Sequence, residues 1–193
     1  NGGMSFTDNP CLVTELAWAK RLPGAPAFYA NTGNPGPGRG DHWPIGQTSP
    51  QPCSASEPNS LACSFDYGWN EASQSSRRAT AAAQLLHKVD WENARHRAAD
   101  VDWWLDVETM NSWQTTDGSY TRAEQDRDVA TIAGEMDALH NVGVAEVGIY
   151  STVSQWTEIT GNATSARARF AGVPQWLAGY DSLYDAAAAC GHD

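Results

Sequence analysis

Trp103-Trp104-Leu105-Asp106-Val107-Glu108 sets two acidic residues in a run that is otherwise apolar and aromatic. As a strand, the run puts Trp104, Asp106 and Glu108 on one side and Trp103, Leu105 and Val107 on the other, because successive side chains alternate. One side can pack, and the other carries two carboxylates toward the strand's C-terminal end. Acids in such company are costly unless they are hydrogen-bonded or used.

Outward from this stretch, strands and helices alternate. Upstream, Asp8 or Asn9 as cap and Pro10 at the first helical position start a helix of about three turns, which Pro23-Gly24 ends. Residues 25–31 are short, aromatic and bounded by Pro and Gly, and read as a strand. A loop insertion at 32–65 follows, and a Pro/Gly-rich segment of that length suggests a functional element. Helices are expected at 71–87, with a small-residue face, and at 91–99. Downstream of the acidic strand come a loop at 109–120 and an amphipathic helix at 121–141. That helix is read with Ala130, Ile132, Ala133, Met136 and Leu139 inward and its acids outward. Strands at 144–151 and 170–180 and helices at 153–159 and 183–189 complete the pattern.

This alternation gives an α/β class in a single domain over residues 1–193. A doubly wound sheet normally shows a Gly-rich phosphate turn after its first strand, and none is seen. A TIM-type (β/α) barrel places reactive residues at the C-terminal ends of strands, where Asp106 and Glu108 fall. The barrel is the expected architecture, incomplete in this chain because a whole one takes about 250 residues and only four clear strands are read.

Composition narrows the function. The net charge is -11 with twelve Lys and Arg, while there are nine Trp and six Tyr. Scattered cations on an acidic chain exclude nucleic acid as a partner. Aromatics together with acids suit a neutral polar ligand such as sugar, whose CH-rich face packs on a ring. Trp43, Trp69 and Trp113 are candidate platforms, with rim or core packing as the alternative. No segment approaches the roughly 20 apolar residues of a membrane span, and no charged and apolar leader is read at the N-terminus. Asn1-Gly2-Gly3 looks like a start inside an element.

Cys53 and Cys63 bracket a loop with little else to hold it. A disulfide there implies an oxidising compartment, hence a secreted or cell-surface location. Two free thiols are the alternative, and Cys11 and Cys190 are left either paired with each other or unpaired. The Arg39-Gly40-Asp41 tripeptide is read as chance. No metal, no cofactor and a monomeric state are expected, although carboxylates two apart also suit magnesium or calcium, with Asp100, Asp102, Asp117 and Asp181 as further acids.

Positions i and i+2 on one strand face lie about 6.5 to 7 Å apart at Cα, so their carboxyls can approach closely enough for one charge to raise the other's pKa. That suits glycoside hydrolysis, in which one carboxyl stays protonated for the leaving oxygen and the other is ionised. Glu108, nearer the strand end, is the expected general acid and Asp106 its charged partner. The alternative is that both cap the next helix or bind backbone amides.

Trp104 to Glu108 after an Ala-rich helix, Val147-Gly148-Ile149-Tyr150-Ser151 and Gln175-Trp176-Leu177-Ala178-Gly179-Tyr180 resemble the fourth to sixth strands of family-25 glycoside hydrolases, the barrel muramidases. Asn9-Pro10-Cys11-Leu12, the run from Tyr29 to Gly36, and Asp66-Tyr67-Gly68-Trp69-Asn70 resemble secreted bacterial proteins described as glycoside-hydrolase-like. The resemblance implies a hydrolase of peptidoglycan or a related polysaccharide, with Glu108 as proton donor and Asp106 as the first acid of an Asp-x-Glu pair. It also implies a substrate groove lined by Tyr29, Asn31, Tyr150, Trp176 and Tyr180. Members of that family begin with a strand carrying another active-site Asp and end with two further strands. Neither is read here, so a fragment or processed form is expected, and a non-catalytic glycan-binding module on the same scaffold is the alternative.

Overall fold

The computed structural model describes residues 6–39 and 42–190, without the side chains at 183, 186, 189 and 190. The N-terminal glycines, two positions of the Arg-Gly-Asp tripeptide and the pairing of Cys190 lie outside the described residues. Cys11 is exposed and free.

In chain order the elements are α1 (Leu12–Ala19), β1 (Phe28–Asn31), α2 (Leu61–His87), α3 (Trp91–Ala99), β2 (Trp103–Asp106), α4 (Arg122–Asn141), β3 (Val147–Ser151), α5 (Val153–Thr160), α6 (Thr164–Arg169), β4 (Gln175–Leu177) and α7 (Leu183–Cys190). The strands form one parallel sheet in the order β1-β2-β3-β4. This is the mixed α/β class that the alternation implied. Sequential parallel strands joined by right-handed crossovers gather their helices on one face. Accordingly Phe28, Ala30, Trp103, Leu105, Val147 and Ile149 point into the main core with Ala72, Ala79, Ile132, Met136, Leu139 and Ile159 of the helices. The alternate residues Tyr29, Trp104, Asp106, Tyr150 and Trp176 share the opposite face.

The helix α2 starts at Leu61, ten residues before the expected position, and takes the last residues of the predicted 32–65 loop. Ser60 caps it by accepting from the Cys63 amide, and Lys88 ends it in the left-handed region. The aromatic and Gly-containing run 65–70 hid this turn, since glycine costs a helix about 1 kcal/mol relative to alanine. Its use is tertiary. A Cβ at Gly68 would stand 2.1 Å from the Thr131 carbonyl oxygen, and one at Gly134 would stand 2.0 Å from the Phe65 carbonyl oxygen, so glycine on both helices lets α2 and α4 meet backbone to backbone.

Cys53 and Cys63 are joined by a disulfide, which ties the irregular segment to the first turn of α2. The Trp43 indole N–H donates to the Pro58 carbonyl and its ring packs on Tyr67, while the Gln51 amide donates to Asp66. The loop is therefore fastened to α2 at several points.

Two further expectations are corrected. The stretch 170–180 is not one strand, because Gly172 at positive φ and Pro174 interrupt it. Helix α6 ends before it, and only Gln175–Leu177 pair with β3. The helix α4 covers the predicted span and opens with a capping box between Thr121 and Glu124. Its acids, however, do not all face outward, since Glu124, Asp128 and Glu135 are buried. Among the described residues no helix is long and apolar enough to cross a membrane.

Candidate functional site

The register of the sheet brings Asn31, Asp106, Tyr150 and Trp176 level across the C-terminal ends of the four strands. Tyr29 and Trp104 lie one pleat below, beside Gly148. A Cβ at Gly148 would be 2.4 Å from the Trp104 ring, so the absence of a side chain there makes room for the indole. The Trp176 ring meets Trp104, Tyr150 and Tyr29 edge-on, with centroids 5.7, 5.0 and 6.4 Å away, and Tyr29 meets Tyr150 at 5.4 Å. Edge-to-face pairs of this kind hold ring orientations without filling the space above them.

Asp106 is 4% exposed. The Tyr29 hydroxyl and the Glu108 carboxyl lie beside its carboxylate, and each is perturbed by it. The segment carrying Glu108 is held on all sides. The Ser151 hydroxyl donates to the Val107 carbonyl at 2.7 Å, and the Thr109 amide donates to Gln155 Oε1 at 2.7 Å. Asn111 Nδ2 donates to the Asp106 carbonyl at 2.8 Å, and the Trp113 indole N–H to the Glu108 carbonyl at 2.7 Å. Glu108 is thus positioned by its backbone and presents a half-buried carboxyl.

Electrostatics follow from this packing. Burial, then the charge of Asp106 and the hydrogen bond to it, push the Glu108 carboxyl above the usual range. Burial, the hydrogen bond to Asp106 and the two acid charges raise the Tyr29 hydroxyl far beyond physiological titration. Tyr150 is raised by burial and by Glu108 and Asp106. At neutral pH both phenols are therefore neutral hydrogen-bond donors, and the carboxyl pair has a built-in reason to keep a proton.

Asp106, Glu108, Tyr29 and Asn31 open into a cleft of ≈ 820 Å³ whose far wall is formed by residues near Phe6, Leu12 and Arg78. Tyr29, Trp104, Tyr150 and Trp176 line an adjoining hollow of ≈ 520 Å³. The predicted residues Tyr29, Asn31, Asp106, Glu108, Tyr150 and Trp176 are thus brought together. Trp69 stacks on Phe65 along α2 and packs against the core. Trp113 is 6% exposed and anchors the Glu108 carbonyl, so it supports the site rather than offering a platform. Trp43 closes the disulfide loop. Tyr180 stands beyond β4, half-buried, and no described ring contact joins it to the cluster.

The sequence reading missed two acids. Glu71 on α2 and Glu135 on α4 are fully buried, and Glu71 lines the same cleft as Asp106. A signal existed for Glu135, which falls three residues after Ile132 and four before Leu139, on the apolar stripe. Among the described residues, no group of three His, Cys, Asp or Glu side chains is arranged to hold a metal ion. No protein-family model, curated protein or solved structure matches the chain.

Proposed function

We propose that the chain is an O-glycosyl hydrolase acting on peptidoglycan or a related polysaccharide, and that its sheet is an arc of a (β/α) barrel of the muramidase type. The observation that carries the reading is the Asp106–Glu108 pair: two neighbouring carboxyls at the carboxyl end of a parallel strand, open to a cleft, with Glu108 raised by burial and by its neighbour. An unreversed strand order with the helices on one face fits a barrel arc better than a doubly wound sheet, which reverses at a switch point.

In this reading Glu108 gives its proton to the glycosidic oxygen as the C–O bond breaks. The ionised Asp106 offsets the positive charge that develops on the sugar ring. Water then adds to that carbon and returns a proton to Glu108. In this reading Asp106 acts as an electrostatic partner. The neighbouring Tyr29, Tyr150 and Trp176 rings supply the stacking surface for sugar, and the disulfide suits an oxidising, extracytoplasmic location.

Glu108→Gln tests the reading. Release of reducing ends from cell walls is expected to fall at least a thousandfold while cosedimentation with walls is retained. Unchanged release excludes the hydrolase role. Wall binding by the unaltered protein with no turnover selects the second reading, a glycan-binding module, which the half-exposed Tyr29 and Trp176 rings favour.

A further inference from the structure

The loops that follow β1 and β2 face each other beside Glu108. The Asn34 amide donates to the Ser112 carbonyl at 2.7 Å, and Gln114 Nε2 donates to Asn34 Oδ1 at 2.9 Å. Gly36, at positive φ, comes so close to Gln114 that a Cβ there would stand 2.7 Å from its side chain. Between the two loops lies a pocket of ≈ 360 Å³. Buried Trp113, whose indole holds the Glu108 carbonyl, lines it, and Asn111 lines both this pocket and the acid cleft. The two spaces are therefore neighbours, joined at Asn111.

They differ in charge. Asp8, Glu15, Glu71, Asp106 and Glu108 all line the cleft, and its one arginine, Arg78, is held by Asp8 and by the Phe6 and Thr7 carbonyls. Among the described residues no acid lines the pocket. Arg39 does, together with the hydroxyls of Ser112, Thr115 and Tyr120. Arg39 is exposed, and no described residue hydrogen-bonds or ion-pairs with it. Burial and the charges of Asp128 and Glu158 push the Tyr120 hydroxyl up to about 12, so it is a neutral donor at physiological pH. On a chain of net charge -11, a lining without acids and with one guanidinium is where an anionic group meets least repulsion.

Resting on the reading of the chain as a glycan-acting protein, we propose that this pocket is a subsite for an anionic substituent of the glycan, with Arg39 as the residue that selects it. A glycan seated over Glu108 reaches the pocket past Asn111, which brings a charged group on an adjacent sugar within range of Arg39. The guanidinium can engage a carboxylate or phosphate through two parallel N–H donors, and the three hydroxyls can donate to the same anion. The substrate class is thereby narrowed from polysaccharides in general to acidic ones.

Wall cosedimentation on ice tests the proposal. Arg39→Gln should bind native walls about threefold more weakly than the unaltered chain, as expected for the loss of one exposed ion pair, and Arg39→Lys should recover part of the loss. The difference should vanish on walls whose carboxyls have been amidated if the anion is a carboxylate, and on walls freed of phosphate polymers with hydrofluoric acid if it is a phosphodiester. A difference that survives both treatments overturns the proposal, and so does native-wall binding by Arg39→Gln equal to that of the unaltered chain. A second measurement needs no wall. In amide NMR of the unaltered chain, sodium glucuronate or inorganic phosphate at tens of millimolar should shift the Ser112 and Thr115 signals, methyl glucoside should not, and Arg39→Gln should abolish the shift. Absence of any shift with both anions overturns the subsite. Unchanged reducing-end release by Glu108→Gln removes the hydrolase reading and leaves these results standing, whereas an unresponsive Arg39 pocket leaves the Glu108 assay untouched.

Discussion

On the helix-covered side of the sheet Phe28, Ala30, Trp103, Leu105 and Ile149 are at most 9% exposed; on the other side Tyr29, between Phe28 and Ala30 on β1, is 47% and Trp176 on β4 is 50% exposed. Both faces are aromatic, so hydrophobicity does not distinguish them. What differs is whether something packs against the ring. The covered face meets the small side chains of α2 and α3 and the aliphatic stripe of α4, whereas the open face meets its own neighbours edge-on. An exposed aromatic patch beside buried acids is a feature of binding surfaces, and the contrast separates residues that hold the fold from residues available to a ligand.

Mutations on the two sides should divide accordingly. The largest effect is expected for Leu105→Ala on the covered face. Leu105 is fully buried, and its truncation should cost about 3 kcal/mol in urea unfolding, with the denaturant midpoint shifted and the slope unchanged. A cost below about 1 kcal/mol would mean that this face is not the true core.

The second prediction concerns an acid on the helix side. Asp128 on α4 accepts from Asn34 Nδ2 at 3.0 Å, and burial pushes its carboxyl up to about 9 despite that bond and the nearby Arg127. With the folded value above the unfolded one, its contribution to stability is full below the unfolded value near pH 4 and is lost progressively as pH rises toward about 9. Asp128→Asn removes that dependence. The variant should be more stable by about 2 kcal/mol at pH 7, with a gain that grows between pH 5 and pH 8 in parallel unfolding curves. A gain that shrinks with rising pH would contradict a neutral Asp128.

The smallest stability effect is expected on the open face. Trp176→Ala should change unfolding free energy by no more than about 1 kcal/mol, since half of the ring is already in solvent. Wall cosedimentation should nevertheless weaken about tenfold. Retained binding with a large loss of stability would reverse the roles given to the two faces.

The alternation of the 103–108 run made this division legible in sequence, because a period of two survives any fold that keeps the strand. Helices α3 and α4 were legible for similar local reasons. The early start of α2 was not, because Gly68 lowers local helix propensity and its compensation, contact with Thr131, lies on a distant helix. Trp69 and Trp113 were indistinguishable from ligand platforms until their partners Phe65 and the Glu108 carbonyl were in place. Tyr29, Asp106 and Glu108 were each identifiable, but the proximity of Tyr29 to the acids depends on strand register, which no single segment specifies.

The meeting of Gly68 with Gly134 also bears on how fast the chain folds. The two glycines are 66 residues apart in sequence, so loop-closure entropy is spent before the contact returns anything. Bulk added at either glycine should therefore speed unfolding if docking is late and slow refolding if docking nucleates the chain, and the ratio of the two rate changes dates the event.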